Sequence, residues 1–379
     1  MKTLGKDRIL SRLLPCALVF LIFIAFSQFR EPCIHLSNND AKVAVTRNYN
    51  PLKKVSEFHY EPSMLENYFI VNLEVLGLRI NNRTRTCPLI FNTSSPINDD
   101  MHAYFRELDH YNDLMKNFTP VEHDLRKSIE HDASNIEEVC SVTKIHPDGL
   151  GGIFAERHAS ISNTMGAMEP LLPVFRSQKI CVDARSHLMS MEYLVHDFYS
   201  MCKNLKRDSR NIFVDMGASL EFHAGISSPA VYINQIFRRF GFHFDHIYAY
   251  EIREVPSARV YELVPNELMD SFHWMNVGVD PEPGAKLNPF TTLLEKFNSD
   301  DFIVVKLDID TSSIENRLAL QLRNDSRLLE LVDLFYFEDH RLQEELMPWW
   351  RNSANGSIGE SLELMAGMRA NGVASHYWP

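Results

Sequence analysis

Between residues 211 and 378 the chain passes repeatedly through short apolar runs that do not alternate with polar residues and that mostly break off at a carboxylate. Asn211-Ile-Phe-Val-Asp215, His246-Ile-Tyr-Ala-Tyr-Glu251, residues 272–279, Asp301-Phe-Ile-Val-Val-Lys-Leu-Asp308, Val332-Asp-Leu-Phe-Tyr-Phe-Glu338 and residues 373–378 make up the series. A strand apolar on both sides is covered on both faces, as in parallel sheets whose crossover helices lie above and below. Helical segments are expected over 229–240, 255–269, 312–323 and 360–369, between the strands. The expectation is an α/β fold: a Rossmann-like doubly wound, mostly parallel sheet with its crevice at the carboxyl ends of the strands.

The first 200 residues follow a different pattern. Lys2, Lys6, Arg8 and Arg12 precede an apolar run over 13–26, extended by Phe29. A basic flank followed by an apolar segment directs a chain to the secretory membrane and keeps the basic side cytosolic. The expected division is a cytosolic tail over 1–12, a transmembrane signal-anchor over 13–29, a stem and helical lead-in over 30–152, and the α/β domain over 153–379. That makes a single-pass type II protein of the Golgi or endoplasmic reticulum with a lumenal C-terminal domain. Ala25 and Ser27 leave cleavage before Gln28 as the alternative.

Sequons at Asn82, Asn92, Asn117, Asn324 and Asn355 agree with a lumenal body. Cys33, Cys87, Cys140, Cys181 and Cys202 lack zinc-site spacing and suit up to two disulfides with one thiol left over. A net charge of −12 excludes a nucleic-acid partner.

Within the lead-in, Met101, Tyr104, Phe105, Leu108, Tyr111, Met115 and Phe118 recur at helical spacing. Thr119-Pro120-Val121-Glu122 has the form of a capping box, predicting a second helix with Val121, Leu125 and Ile129 on one face. A further helical stretch is expected over 189–201. His102, His110, His123 and His131 fall mostly off the apolar stripes and belong to a solvated face. His243 and His246 sit in the turn before a strand, and no resident metal is expected.

The chemistry-bearing residues stand at the strand ends in order: Asp215-Met-Gly217-Ala-Ser219, Glu251, Asn276, Asp308-Ile-Asp310 and Glu338-Asp-His340. Together D-x-G-A, YAYE, NVGV, VVKLDID and FYFEDH resemble class I S-adenosylmethionine-dependent methyltransferases of the FkbM type. The closing LELMAGMRANGVASHYW is similar to that group as well. The resemblance covers about residues 205–379. It implies S-adenosyl-L-methionine as cofactor, with Asp215, Gly217, Ala218 and Ser219 along its methionine part and Glu251 on its ribose hydroxyls. Asn276 and Val277 would border the adenine, and Asp308 would face the reaction zone.

Asp310 and His340 are the candidate bases for a hydroxyl acceptor, with Glu338 orienting His340. The acceptor itself, a small molecule, glycan or protein, is not legible. Two features depart from the family: Glu221 stands where a second glycine belongs, and Asp310-Thr311 replaces the E-G after strand four. The alternatives are a Golgi glycosyltransferase using Asp308-Ile-Asp310 as a D-x-D, or a non-catalytic protein on the methyltransferase fold.

Overall fold

The computed structural model describes residues 64–91, 94, 97–145, 181, 190–220 and 228–378. The apolar run over 13–29, Cys33 and Glu221 lie outside the described residues. Among those described, no helix is long and apolar enough to cross a membrane.

Six strands form one sheet: β1 (Asn211–Met216), β2 (His246–Tyr250), β3 (Phe272–Met275), β4 (Phe302–Leu307), β5 (Leu334–Phe337) and β6 (Ala374–Tyr377). Every neighbouring pair is parallel. The order is β3-β2-β1-β4-β5-β6, that of a doubly wound dinucleotide-binding sheet, in which the order reverses between β1 and β4 and a crevice opens at the carboxyl ends. The principal helices are α1 (Met64–Val71), α2 (Asn98–Asn117), α3 (Pro229–Arg239), α4 (Ser257–Leu263), α5 (Pro289–Lys296), α6 (Ser312–Asn324), α7 (Ser326–Leu331) and α8 (Ile358–Arg369).

Burial explains why the strands are apolar throughout. Ile212 and Val214 of β1, Ile303 and Val305 of β4, and Phe335 of β5 share one core with Phe290 of α5, Leu318 of α6 and Met368 of α8. The intervening residues Phe213, Val304 and Tyr336 face the opposite core, with Phe237 of α3 and with Leu65, Phe69, Tyr104 and Leu108 of α1 and α2. Alternate side chains along each strand thus enter different cores. The lead-in is packed directly on the sheet. Arg369 of α8, fully buried, donates to the Ser375 carbonyl and pairs with Glu66 of α1 at 3.3 Å. Disulfides join Cys87 to Cys181 and Cys140 to Cys202. The sequon asparagines Asn82, Asn117, Asn324 and Asn355 are all exposed.

Several local expectations give way to tertiary contacts. The helix from Thr119-Pro120 does not form: Val121 bridges to Phe240, its N–H on the Arg239 carbonyl at 2.8 Å, and Asp124 starts only a short 3-10 turn, Leu125–Ser128. The helix expected over 255–269 stops at Leu263 because Pro265 holds Val264 extended. The third strand ends at Met275, four residues early, because Asn276 turns back to hold the β2 loop. Of the stretch over 189–201, only Phe198–Cys202 is an α-helix among the described residues. Conversely α5 was not expected, although Asn288 caps it, accepting from the N–H groups of Phe290 and Thr291, with Pro289 in its first turn.

Candidate functional site at the carboxyl ends of the strands

The centre of the crevice floor is Lys306, a lysine inside the apolar β4 with no exposed side-chain surface. Its ammonium lies 3.1 Å from Oδ1 of Asp215 and 2.9 Å from Oδ2 of Asp308, under the Trp378 ring. Burial opposes the charge on Lys306, but the two carboxylates outweigh it and raise its pKa. Burial likewise opposes charge on Asp308, and Lys306 outweighs it, holding that carboxyl below its usual range. Asp215 and Asp308, expected to meet a ligand, are therefore committed to a buried ion pair between β1 and β4. Gly217 is committed too. Its φ is +87°, and a Cβ there would lie 1.5 Å from the Asp308 carbonyl oxygen. Glycine is required for the close approach of β4, whatever binds above.

Beyond Asp308 the carboxyl groups crowd together. Glu338 follows β5, and burial, then the charge of nearby Asp308, pushes its pKa well up. Glu315, in the first turn of α6, accepts the Ile309 N–H at 2.8 Å, and burial pushes it up to about 8. Asp310 is exposed and holds a left-handed backbone, φ 56°.

His340 is buried against Trp350, with ring centroids 4.9 Å apart. Burial lowers its pKa, against the pull of Asp310, Asp308 and Asp339, so the ring is neutral. Glu338 was expected to orient this ring. Its Oε1 lies 3.0 Å from Nε2, yet no hydrogen bond is made there. The orienting bond comes from Ser353, whose Oγ lies 2.8 Å from Nδ1. Asp310, Glu338 and His340 are brought together: an imidazole nitrogen and carboxylate oxygens of this trio all lie within 4.8 Å of one another.

On the other side of the crevice, the N–H groups of Gly217 and Ala218 both donate to the Tyr250 carbonyl, tying the β1 turn to the end of β2. Ala218 is buried and Ser219 half-buried. Glu251 follows β2, its Oε1 fixed by the Arg253 N–H at 2.6 Å. Asn276 is spent on that loop: its amide donates to the carbonyls of Glu251 and Arg253, and its Oδ1 accepts from Val255. Val277 is 37% exposed, and Ile252, against Gly278, is 79% exposed. The loops after β2 and β3 therefore present exposed apolar side chains as well as the Glu251 carboxylate.

Sequence reasoning missed Lys306, Glu315, Ser353 and Ile252. A lysine within VVKLD was a usable signal, since lysine enters an apolar strand only when paired. Ser353 and Ile252 carried none, because their roles come from loop geometry. The histidines of the lead-in, His102, His110, His123 and His131, are exposed as expected. His246 meets His273 at 2.9 Å instead of His243.

Comparison with protein families, with curated proteins and with solved structures finds no match.

Proposed function

We propose that the chain is a methyltransferase that binds S-adenosylmethionine over the carboxyl ends of β1–β3 and methylates an acceptor held over β4 and β5. The observation that carries this reading is the Glu251 carboxylate. It follows β2, one strand from the point where strand order reverses, one oxygen is fixed by the Arg253 N–H, and the exposed apolar residues Ile252 and Val277 belong to the same two loops. A carboxylate held this way can accept both ribose hydroxyls, and a flat base can cover those apolar side chains. Methyl transfer asks the protein mainly to align donor and nucleophile. The sequence order of D-x-G-A, YAYE, NVGV, VVKLDID and FYFEDH supports the same donor.

The D-x-D alternative has less support, because Asp308, the first carboxylate of the motif, is held by Lys306 and so is not offered to a cation-bound sugar nucleotide. Two disulfides and four exposed sequons support a lumenal site of action, carried there by the apolar segment over 13–29.

The test is thermal melting of the full chain with S-adenosylhomocysteine, with Mn2+ alone, and with sugar nucleotides plus Mn2+. At a hundredfold excess over Kd a bound ligand stabilises by about 2.7 kcal/mol, a shift of several degrees. Stabilisation by S-adenosylhomocysteine is expected. A shift only with sugar nucleotides, beyond that of Mn2+, supports glycosyl transfer, and no shift with any ligand supports a non-catalytic protein.

A further inference from the structure

The acceptor side of the crevice holds a buried imidazole nitrogen with nothing to bond. The Ser353 hydroxyl donates to the Trp350 carbonyl at 2.6 Å, and its oxygen lies 2.8 Å from Nδ1 of His340. A hydroxyl has one proton to give, so toward the ring Ser353 can only accept. Nδ1 therefore carries the ring hydrogen, and Nε2 is left with its lone pair. Nε2 makes no hydrogen bond, and the side chain is only 2% exposed. It faces Oε1 of Glu338 across 3.0 Å. Two electron-rich atoms at that distance repel unless a shared proton or a positive charge lies against both, and the geometry there makes no hydrogen bond.

The geometry points to a divalent-cation site formed by Asp310, Glu338 and His340. Ligands at right angles on a cation with bonds of about 2.1 Å stand about 3.0 Å apart. That is the separation between Nε2 and Oε1, and the trio's donor atoms lie within 4.8 Å of one another. Ser353 fixes the ring and its tautomer from the far nitrogen, as the outer partners of metal-bound histidines do.

One neutral imidazole with two carboxylates is a mixed nitrogen–oxygen set that suits Mn2+ or Zn2+, whereas Mg2+ and Ca2+ favour oxygen alone. Asp310 is exposed and Glu338 half-buried, so the cation enters from the crevice side. Its remaining coordination positions are open to a hydroxyl acceptor, whose oxygen becomes more acidic on binding. Asp308 takes no part, since Lys306 holds its carboxylate. The site is independent of the methyl donor proposed above and stands on cation binding alone.

The experiment uses the full chain, stripped with EDTA and titrated with MnCl2 while free Mn2+ is followed by electron paramagnetic resonance. One Mn2+ per chain is expected, displaced by ZnCl2 and not by equal MgCl2. Asp310→Asn alters an exposed residue, and Asn tolerates the left-handed backbone at φ 56°. It should weaken binding about tenfold or more, with the thermal midpoint in EDTA unchanged. His340→Gln should lose binding as well. Failure of the folded wild type to bind either Mn2+ or Zn2+ stoichiometrically overturns the proposal, as does Asp310→Asn that binds like the wild type.

Discussion

At the scale of single residues, the crevice floor owes its form to Gly217 and Lys306. Alanine at 217 would carry a positive φ and drive a methyl into the Asp308 carbonyl, which is main chain and cannot swing aside. Gly217→Ala should therefore cost about 2 kcal/mol or more in urea unfolding; stability within about 0.5 kcal/mol of wild type contradicts the close approach of β1 and β4. Lys306→Met leaves Asp215 buried and Asp308 half-buried without their cation. Breaking a buried pair from one side costs about 3–5 kcal/mol. The double variant Lys306→Met/Asp215→Asn should recover part of that loss, because it removes one of the stranded charges. Strict additivity of the two substitutions would show that the pair is not coupled.

At the scale of elements, α6 carries a carboxyl that works against the fold at high pH. Glu315 ionises near its ordinary 4.5 in the unfolded chain and near about 8 in the folded protein. The folded state thus retains a proton that the unfolded state has released between those values. The stability contributed by neutral Glu315 is full below the lower value and is lost as pH rises through the upper one. With cations removed by EDTA, Glu315→Gln should flatten the fall in stability across that window and be the more stable protein above it. An unchanged slope in chemical denaturation between about pH 5 and pH 8 would show that Glu315 is not the group responsible.

The same scale shows what was legible in the sequence. Strands β1, β4 and β5 were, because residues buried on both faces are mostly apolar, and each run gives way to a carboxylate near its carboxyl end. Helix α2 was legible through its period. The helix that Thr119-Pro120 predicts does not form, because a local capping signal is weak against a bridge between Val121 and Phe240, which sequence cannot place. The site divides likewise. Asp310, Glu338 and His340 follow strand ends in the sequence and converge in the fold. Asp215, Gly217 and Asn276 stand at strand ends too but are engaged by Lys306, by Asp308 and by the β2 loop. A motif gives position along the chain, while the partner that occupies a side chain comes from a distant element.

At the scale of the whole molecule, buried contacts join the lead-in to the sheet, and disulfides join it to the segment that precedes β1. Cys140–Cys202 closes a separation of 62 residues and Cys87–Cys181 one of 94. Replacing Cys140 and Cys202 together by serine should lower stability by about 2–5 kcal/mol. Peptide mapping without reduction should recover these two pairs and leave Cys33 open to alkylation; Cys33 linked to one of the four would contradict the pairing. The central claim concerns what this scaffold holds over Glu251, and calorimetric titration with S-adenosylhomocysteine tests it most directly. Saturable binding by the wild type, weakened about tenfold or more in Glu251→Ala by loss of charge-assisted hydrogen bonds, is the predicted result. No binding by the folded wild type, or equal affinity in Glu251→Ala, would contradict it.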